Sequence, residues 1–228
     1  MSSFNSYDKC PACSREIRLH DTDEMNMCWD DMVKEKEMAE AIKELKRVGS
    51  VSAKFGEHTF GKSNRGYIRD YISAWIQSKQ WLNSDSVGLY LYGTQGTGKT
   101  YASRSVLYDA LYDGRSVMEI TAYKMLRHEA LFQNYSQSKF ETPQLLLIDD
   151  IDKAEWNTKS LNYLWSLLNE RSNNGCRTII TSNVKPDKLR SVIGAGSEGN
   201  QSTIESAMQR LHPVTTIEFK GKSIRGMV

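Results

Sequence analysis

Three stretches of this 228-residue chain hold residue types at spacings that can act on a phosphate. The first, Gly93-Thr94-Gln95-Gly96-Thr97-Gly98-Lys99-Thr100, fits G-x-x-x-x-G-K-[ST] without a mismatch. Glycine at 93, 96 and 98 frees the backbone to approach a ligand closely. The N–H groups of the loop, Thr94, Gln95 and Thr97 included, can then turn inward around phosphate oxygens. Lys99 adds a point charge for β- and γ-phosphates. The Thr100 hydroxyl can ligate a Mg²⁺ that keeps most of its waters. A strand-like run, Ser86–Tyr92, precedes the loop and helix-like residues 101–107 follow it, the context the motif needs. The start of that helix favours an anion.

The second stretch is Leu145-Leu146-Leu147-Ile148-Asp149-Asp150, an apolar strand closed by two acids. Ligands of open α/β sheets sit outside the carboxyl ends of their strands. There Asp149 can hold the hydrated Mg²⁺ beside Thr100, and Asp150 can orient an attacking water. Asp152 reads as ordinary loop charge. The third stretch, Thr181-Ser182-Asn183, ends another strand at the same sheet edge. Asn183 can hydrogen-bond a γ-phosphate or the attacking water, although short polar residues at a strand end also serve as plain turn chemistry.

A fourth set stands apart. Cys10, Cys13, His20 and Cys28 supply three thiolates and an imidazole, which suits a closed tetrahedral Zn²⁺ site. The spacing matches no common finger. A polar tail with free thiols and a redox-active C-x-x-C are the other readings. Bound zinc would supply folding energy to a segment too short for its own core.

Bulk properties bound the possibilities. Hydrophobic residues make up 39% and charged residues 25%, as in ordinary globular proteins, and a net charge of +2 leaves nucleic-acid contact to a local patch. No run of 18 apolar residues predicts a membrane span, and the N-terminus does not read as a secretory signal. Four cysteines make no disulfide framework, which points to the cytoplasm.

The elements that must position these residues follow from periodicity. Helices are expected over 23–47, 66–82, 99–113, 122–137, 158–173, 186–192 and 202–211, and strands over 86–92, 117–121, 144–150, 176–183 and 214–219. Residues 49–54 read as a linker and 194–200 as a flexible loop. Tyr67, Ile68, Tyr71, Ile72, Trp75 and Ile76 form an apolar stripe. Alternating strands and helices with continuous apolar strands predict a parallel sheet covered on both faces. The domains expected are a docking segment over 1–50 and an α/β domain over 55–228.

Taken in this order and spacing, the motifs resemble the AAA+ ATPases. Within them the chain is similar to the helicase-loader branch of the DnaC and DnaI types, and to its relative, the IstB transposition ATPase. G-T-Q-G-T-G-K-T, L-L-L-I-D-D-I-D, I-I-T-S-N, Gln209-Arg210-Leu211 and Gly221-Lys222-Ser223-Ile224-Arg225 carry the resemblance over residues 55–225. It implies a P-loop AAA+ core without a C-terminal lid domain, binding ATP and Mg²⁺. Hydrolysis to ADP and phosphate would be slow, because the second acid is Asp150 where many relatives have Glu. Arg210 matches the position of the family's arginine finger and Arg225 that of a sensor arginine, with Arg171 a further candidate for either. A finger working in trans requires head-to-tail subunits, hence an ATP-dependent ring or helical oligomer.

The resemblance also implies partners: a replicative DnaB-type hexameric helicase, and single-stranded DNA. The branch lines its pore with the segment here numbered 122–142, where Tyr123, His128, Phe132 and Tyr135 can stack bases and Lys124 and Arg127 can track phosphates. A core stripe with a solvated charged face is the other reading of that segment. The compact N-terminus suggests a phage-encoded version. Rival functions are an IstB-like transposition-assembly ATPase, a P-loop small-molecule kinase, for which neither acceptor pocket nor arginine-rich lid is found, and a nucleotide-gated binder without useful hydrolysis.

Overall fold

The computed structural model describes residues 7–9, 16–18, 29–57, 59, 72–131, 137–194, 198–221 and 223. The chain divides into two units, Met1–Val48 and Gly49–Val228. In the first, β1 (Tyr7–Lys9) and β2 (Glu16–Arg18) pair antiparallel with Asp8 opposite Ile17, a hairpin the sequence reading did not anticipate. Cys10 and Cys13 follow β1 in the sequence. They lie, with His20 and Cys28, outside the described residues. Helix α1 (Trp29–Arg47) follows within the expected 23–47 span. Met38, Ala41, Ile42 and Leu45 form its less exposed face, as three- and four-residue spacing requires. Lys46 and Arg47 close its last turn, where cations suit the helix dipole.

The second unit is built on five parallel strands in the order β4-β5-β6-β3-β7. They are β3 (Gly88–Gly93), β4 (Val117–Thr121), β5 (Leu145–Asp149), β6 (Arg177–Ser182) and β7 (Val214–Phe219). Helices α2 (Ile72–Trp81), α3 (Lys99–Tyr112), α4 (Ala122–Leu131), α5 (Gln137–Glu141), α6 (Thr158–Asn173), α7 (Pro186–Ile193) and α8 (Glu198–Gln209) connect or precede them. Both faces of the central strands are buried. Leu146, Ile148 and Ile180 pack with Leu161, Leu164 and Leu168 of α6 and with Ile204 of α8. The alternate residues Leu145, Leu147, Leu89 and Leu91 point the other way and are also fully buried, as are Ala102, Val106 and Leu107 of α3. Continuous apolar strands thus mark a sheet covered on both sides. Among the described residues no helix follows β7, and no helix is long and apolar enough to cross a membrane.

Local chemistry explains the boundaries. Helix α6 opens on a capping box: the Asn157 side chain accepts from Ser160 N and the Ser160 hydroxyl accepts from Asn157 N. Helix α7 begins with Pro186, whose missing N–H costs nothing in a first turn.

Several expectations need correction. Residues 49–54 are not a free linker. Val51 is buried, Ser50 O accepts from Glu119 N at 2.8 Å, and Ser52 N donates to the Glu119 carboxylate, so the segment is pinned along β4. Of the expected stripe on α2, Trp75 is buried but Ile72 and Ile76 are about half exposed, because Ala74, Ser78 and Trp81 share the inward face with Trp75. Of the expected helix over 122–137, Ala122–Leu131 is helical, residues 132–136 lie outside the described residues, and Gln137–Glu141 is helical beyond them. The expected loop over 194–200 is already helical from Glu198.

Candidate nucleotide-binding and hydrolysis site

The strand order builds the site. Strand β6 runs between β3, which feeds the glycine loop, and β5, which carries the acids. Neighbouring strands lie about 4.8 Å apart, so β3 and β5 are separated by roughly twice that, and the polar end of β6 bridges the gap. Gly93 ends β3 with φ 145°. A Cβ there would come within 2.3 Å of Phe219 O on β7, which is why no side chain is tolerated at the loop entrance. Gly98 is the left-handed N-cap of α3 and supplies no side-chain cap, so the first N–H groups of α3 remain available to an anion.

Lys99 is 6% exposed. Its Nζ donates to Gly93 O at 2.7 Å, Thr94 O at 2.9 Å and Asn183 Oδ1 at 3.1 Å. Burial lowers its pKa, and the nearby Asp150, Asp152 and Asp149 resist that shift. A phosphate would complete this acidic surround with the charge the ammonium is placed to meet.

Thr100 donates from Oγ1 to Asp149 at 3.0 and 3.2 Å. Asp149 is 5% exposed. Burial raises its pKa, while hydrogen bonds from Thr181 and Thr100 pull the other way. A hydroxyl beside a buried carboxylate fits Mg²⁺, a hard cation that takes oxygen ligands and favours the ionised carboxylate. Thr181 is a hinge pin here. Its hydroxyl donates to Asp149 Oδ1 at 2.5 Å and accepts from Asp150 N at 2.9 Å.

Asp150 sits in the left-handed region, φ 57° and ψ 52°, uncommon for a residue with a side chain. Its carboxylate meets Lys153, whose Nζ lies 2.7 Å from Oδ2. Asp152 is not idle loop charge. It accepts from Ser182 Oγ at 2.8 Å and from Asn183 N and Nδ2 at 2.9 Å each.

Gly93, Thr94, Gln95, Gly96, Thr97, Gly98, Lys99, Thr100, Asp149, Asp150 and Asn183 therefore converge on one sheet edge. Arg210 does not. Val214 pairs with Gly88, and Val87 N donates to Pro213 O, so Arg210, four residues before β7, lies at the opposite edge from the glycine loop. A strand of this length spans about 17–20 Å. Arg210 is exposed, its guanidinium 5.6 Å from the Trp165 ring centroid. Arg171 is excluded as a finger or sensor. It is 1% exposed and donates to Thr178 Oγ1, Phe140 O, Pro143 O and Arg177 O. Tyr123, Lys124 and Arg127 are exposed on α4, with Arg127 5.8 Å from the Tyr123 ring centroid. Arg225 and the side chains of His128, Phe132 and Tyr135 lie outside the described residues.

The Arg104–Glu119 ion pair is not evident from sequence spacing. Its side chains are 15% and 4% exposed, and it ties α3 to β4 behind the loop. The available signal was one acid inside an otherwise apolar strand.

A glycine loop lying at a helix start, with its lysine and a hydroxyl–carboxylate pair across one intervening strand, defines a P-loop nucleotide-binding protein. Residues 89–210 match the family of ATPases associated with various cellular activities (AAA), and the chain belongs to that family. A curated relative, the chromosomal replication initiator protein DnaA of Bacteroides thetaiotaomicron, is 28% identical over 109 residues, which cover 45% of this chain and 23% of that protein. The solved structure of the DnaC helicase loader superposes with a TM-score of 0.55 at 16% identity, covering 73% of this chain and 99% of that one. The replication initiator DnaA bound to AMPPCP and single-stranded DNA superposes with a TM-score of 0.55 at 20% identity, covering 75% and 53%. At these identities the likeness is one of fold.

Proposed function

We propose that this protein is an ATP-dependent helicase loader of DNA replication. It binds ATP and Mg²⁺ on the glycine loop, Thr100 and Asp149. Asp150 and Asn183 hold the water that attacks the γ-phosphate, and Arg210 of a neighbouring subunit, together with Arg225, stabilises the charge that develops there. The observation that carries this reading is the separation within one chain. A full set of binding and water-orienting residues lies at one sheet edge, and the finger candidate lies exposed at the other. Completing the site from a second copy demands a head-to-tail oligomer. The DnaC-like fold, and a DnaA of similar fold that holds a nucleotide and single-stranded DNA, support a client in replication. Lys124 and Arg127 would track single-stranded DNA, and residues 1–50, with zinc on Cys10, Cys13, His20 and Cys28, would dock a DnaB-type hexameric helicase.

The test is binding of the full chain to the replicative helicase of its own cell, with and without ATP, beside a variant lacking residues 1–50. Binding that disappears with those residues is expected. ATPase activity with no helicase binding under any condition would refute the loader assignment and point to a transposition-type client.

A further inference from the structure

Asp152 stands three residues past the Mg²⁺-site acid Asp149, and three donors converge on it. Ser182 Oγ and Asn183 N donate to Oδ1 at 2.8 and 2.9 Å, and Asn183 Nδ2 donates to Oδ2 at 2.9 Å. Burial alone would raise its pKa, but the bonds from Asn183 and Ser182 outweigh burial and hold the carboxyl below its ordinary range. The other end of the Asn183 carboxamide faces Lys99, whose Nζ lies 3.1 Å from Oδ1. A carboxylate accepts only from the amide nitrogen, and an ammonium donates only to the amide oxygen. The two neighbours therefore select the same orientation, and a flipped carboxamide would oppose both. Ser182 adds a further brace, since its hydroxyl also accepts from Val184 N at 3.0 Å.

We propose that Asp152 is a positioning residue for ATP hydrolysis, fixing the Asn183 carboxamide with its oxygen toward Lys99 and the γ-phosphate end of the loop. The inference rests on the nucleotide-hydrolysis reading above. Its consequence is chemical: Asn183 works there as an acceptor, steadying Lys99 and one hydrogen of the attacking water, and does not donate to a phosphate oxygen. Without Asp152 the carboxamide loses one of the two neighbours that fix it, and Lys99 alone opposes its turning over. Misplacement of a positioning group by about 1 Å can cost on the order of 100-fold in rate.

The experiment uses the full chain, with steady-state ATP hydrolysis and fluorescent-ATP titration on wild type, Asp152→Asn, Asp152→Ala, Asn183→Ala and the double variant Asp152→Ala/Asn183→Ala. Asp152→Asn should lower turnover about 10- to 100-fold while nucleotide affinity stays within about threefold, the split expected when only the reacting arrangement is lost. The double variant should be no slower than Asn183→Ala, because Asp152 acts through Asn183. Losses that multiply, affinity that falls in step with turnover, or Asp152→Asn turning over within about twofold of wild type would each overturn the proposal. Absence of hydrolysis by wild type would instead overturn the parent reading. The side-chain amide resonance of Asn183, identified by its loss in Asn183→Asp, decides the orientation independently. Slow exchange in wild type that is abolished in Asp152→Asn supports the contact, and a solvent-like amide in wild type refutes it.

Discussion

Thr181→Val probes the join between the two acids. Thr181 is fully buried, and its single hydroxyl serves the Asp149 carboxylate and the Asp150 N–H together. Val nearly matches its volume, so the cost is one of hydrogen bonds more than of cavity. A hydrogen bond to an ionised group contributes about 1.5–3 kcal/mol, and an N–H left without a partner costs about 1–3 kcal/mol. The two losses share one hydroxyl, and we expect a net destabilisation of about 3 kcal/mol, a large part of the roughly 5–15 kcal/mol typical of a folded domain. With a urea slope of about 2–3 kcal/mol per molar, the unfolding midpoint should fall by about 1 M. The effect should also depend on pH. Burial already places the folded-state pKa of Asp149 above its ordinary value of 3.8, and Val removes a hydrogen bond that lowers it. Between the unfolded and folded values the native state binds more protons than the unfolded one, so stability falls as pH rises through that window. The deficit of Thr181→Val should therefore be full above the folded pKa and shrink as pH falls toward the ordinary aspartate range. Saturating Mg²⁺·ATP should recover part of it by pairing the carboxylate with a cation. Urea titrations of wild type, Thr181→Val and Thr181→Ser at several pH values measure all three effects. A midpoint shift of Thr181→Val below about 0.3 M, or a deficit that grows toward acid pH, would refute the reasoning.

Lys99→Ala removes the only ammonium inside the loop and should weaken ATP binding at least about 100-fold, read by fluorescent-nucleotide titration. Arg210→Ala should leave ATP affinity intact while lowering turnover by about 1,000-fold or more. Mixing it with Lys99→Ala subunits should restore measurable hydrolysis, because each supplies what the other lacks across the interface. Arg171→Met should lower stability by about 3 kcal/mol or more by leaving the buried carbonyls of Phe140, Pro143 and Arg177 without their donor, measured by denaturation, and should have no selective effect on turnover.

Much of the site was legible because its signals are local. The glycine loop is contiguous, and its strand–loop–helix context can be read from periodicity, as can the five strands of the main sheet between Ser86 and Phe219 and the ends of α6 and β7. Asp149 and Asn183 were found for the same reason, as polar residues closing apolar runs. What escaped lay in pairings between distant residues. Asp152 reads as one more loop acid until β6 is known to pass beside it and deliver Ser182 and Asn183. Arg171 reads as a candidate finger or sensor because its acceptors are carbonyls, and backbone leaves no mark in composition. Ile72 and Ile76 read as core because an apolar stripe does not say which of its edges finds a partner.

The sequence by itself determined the chemistry on offer: a phosphate loop ending in a hydroxyl, an acid pair and a polar strand end, each written in adjacent residues whose spacing is set by the backbone. Only the tertiary structure decided which of these meet. Inserting β6 between β3 and β5 puts Asn183 between Lys99 and Asp152, and Thr181 between Asp149 and Asp150. Pairing β7 in parallel with β3 sends Arg210 to the far edge, out of reach of its own loop. Strand order sets both outcomes, because contacts between strands depend on long-range packing that no local pattern encodes.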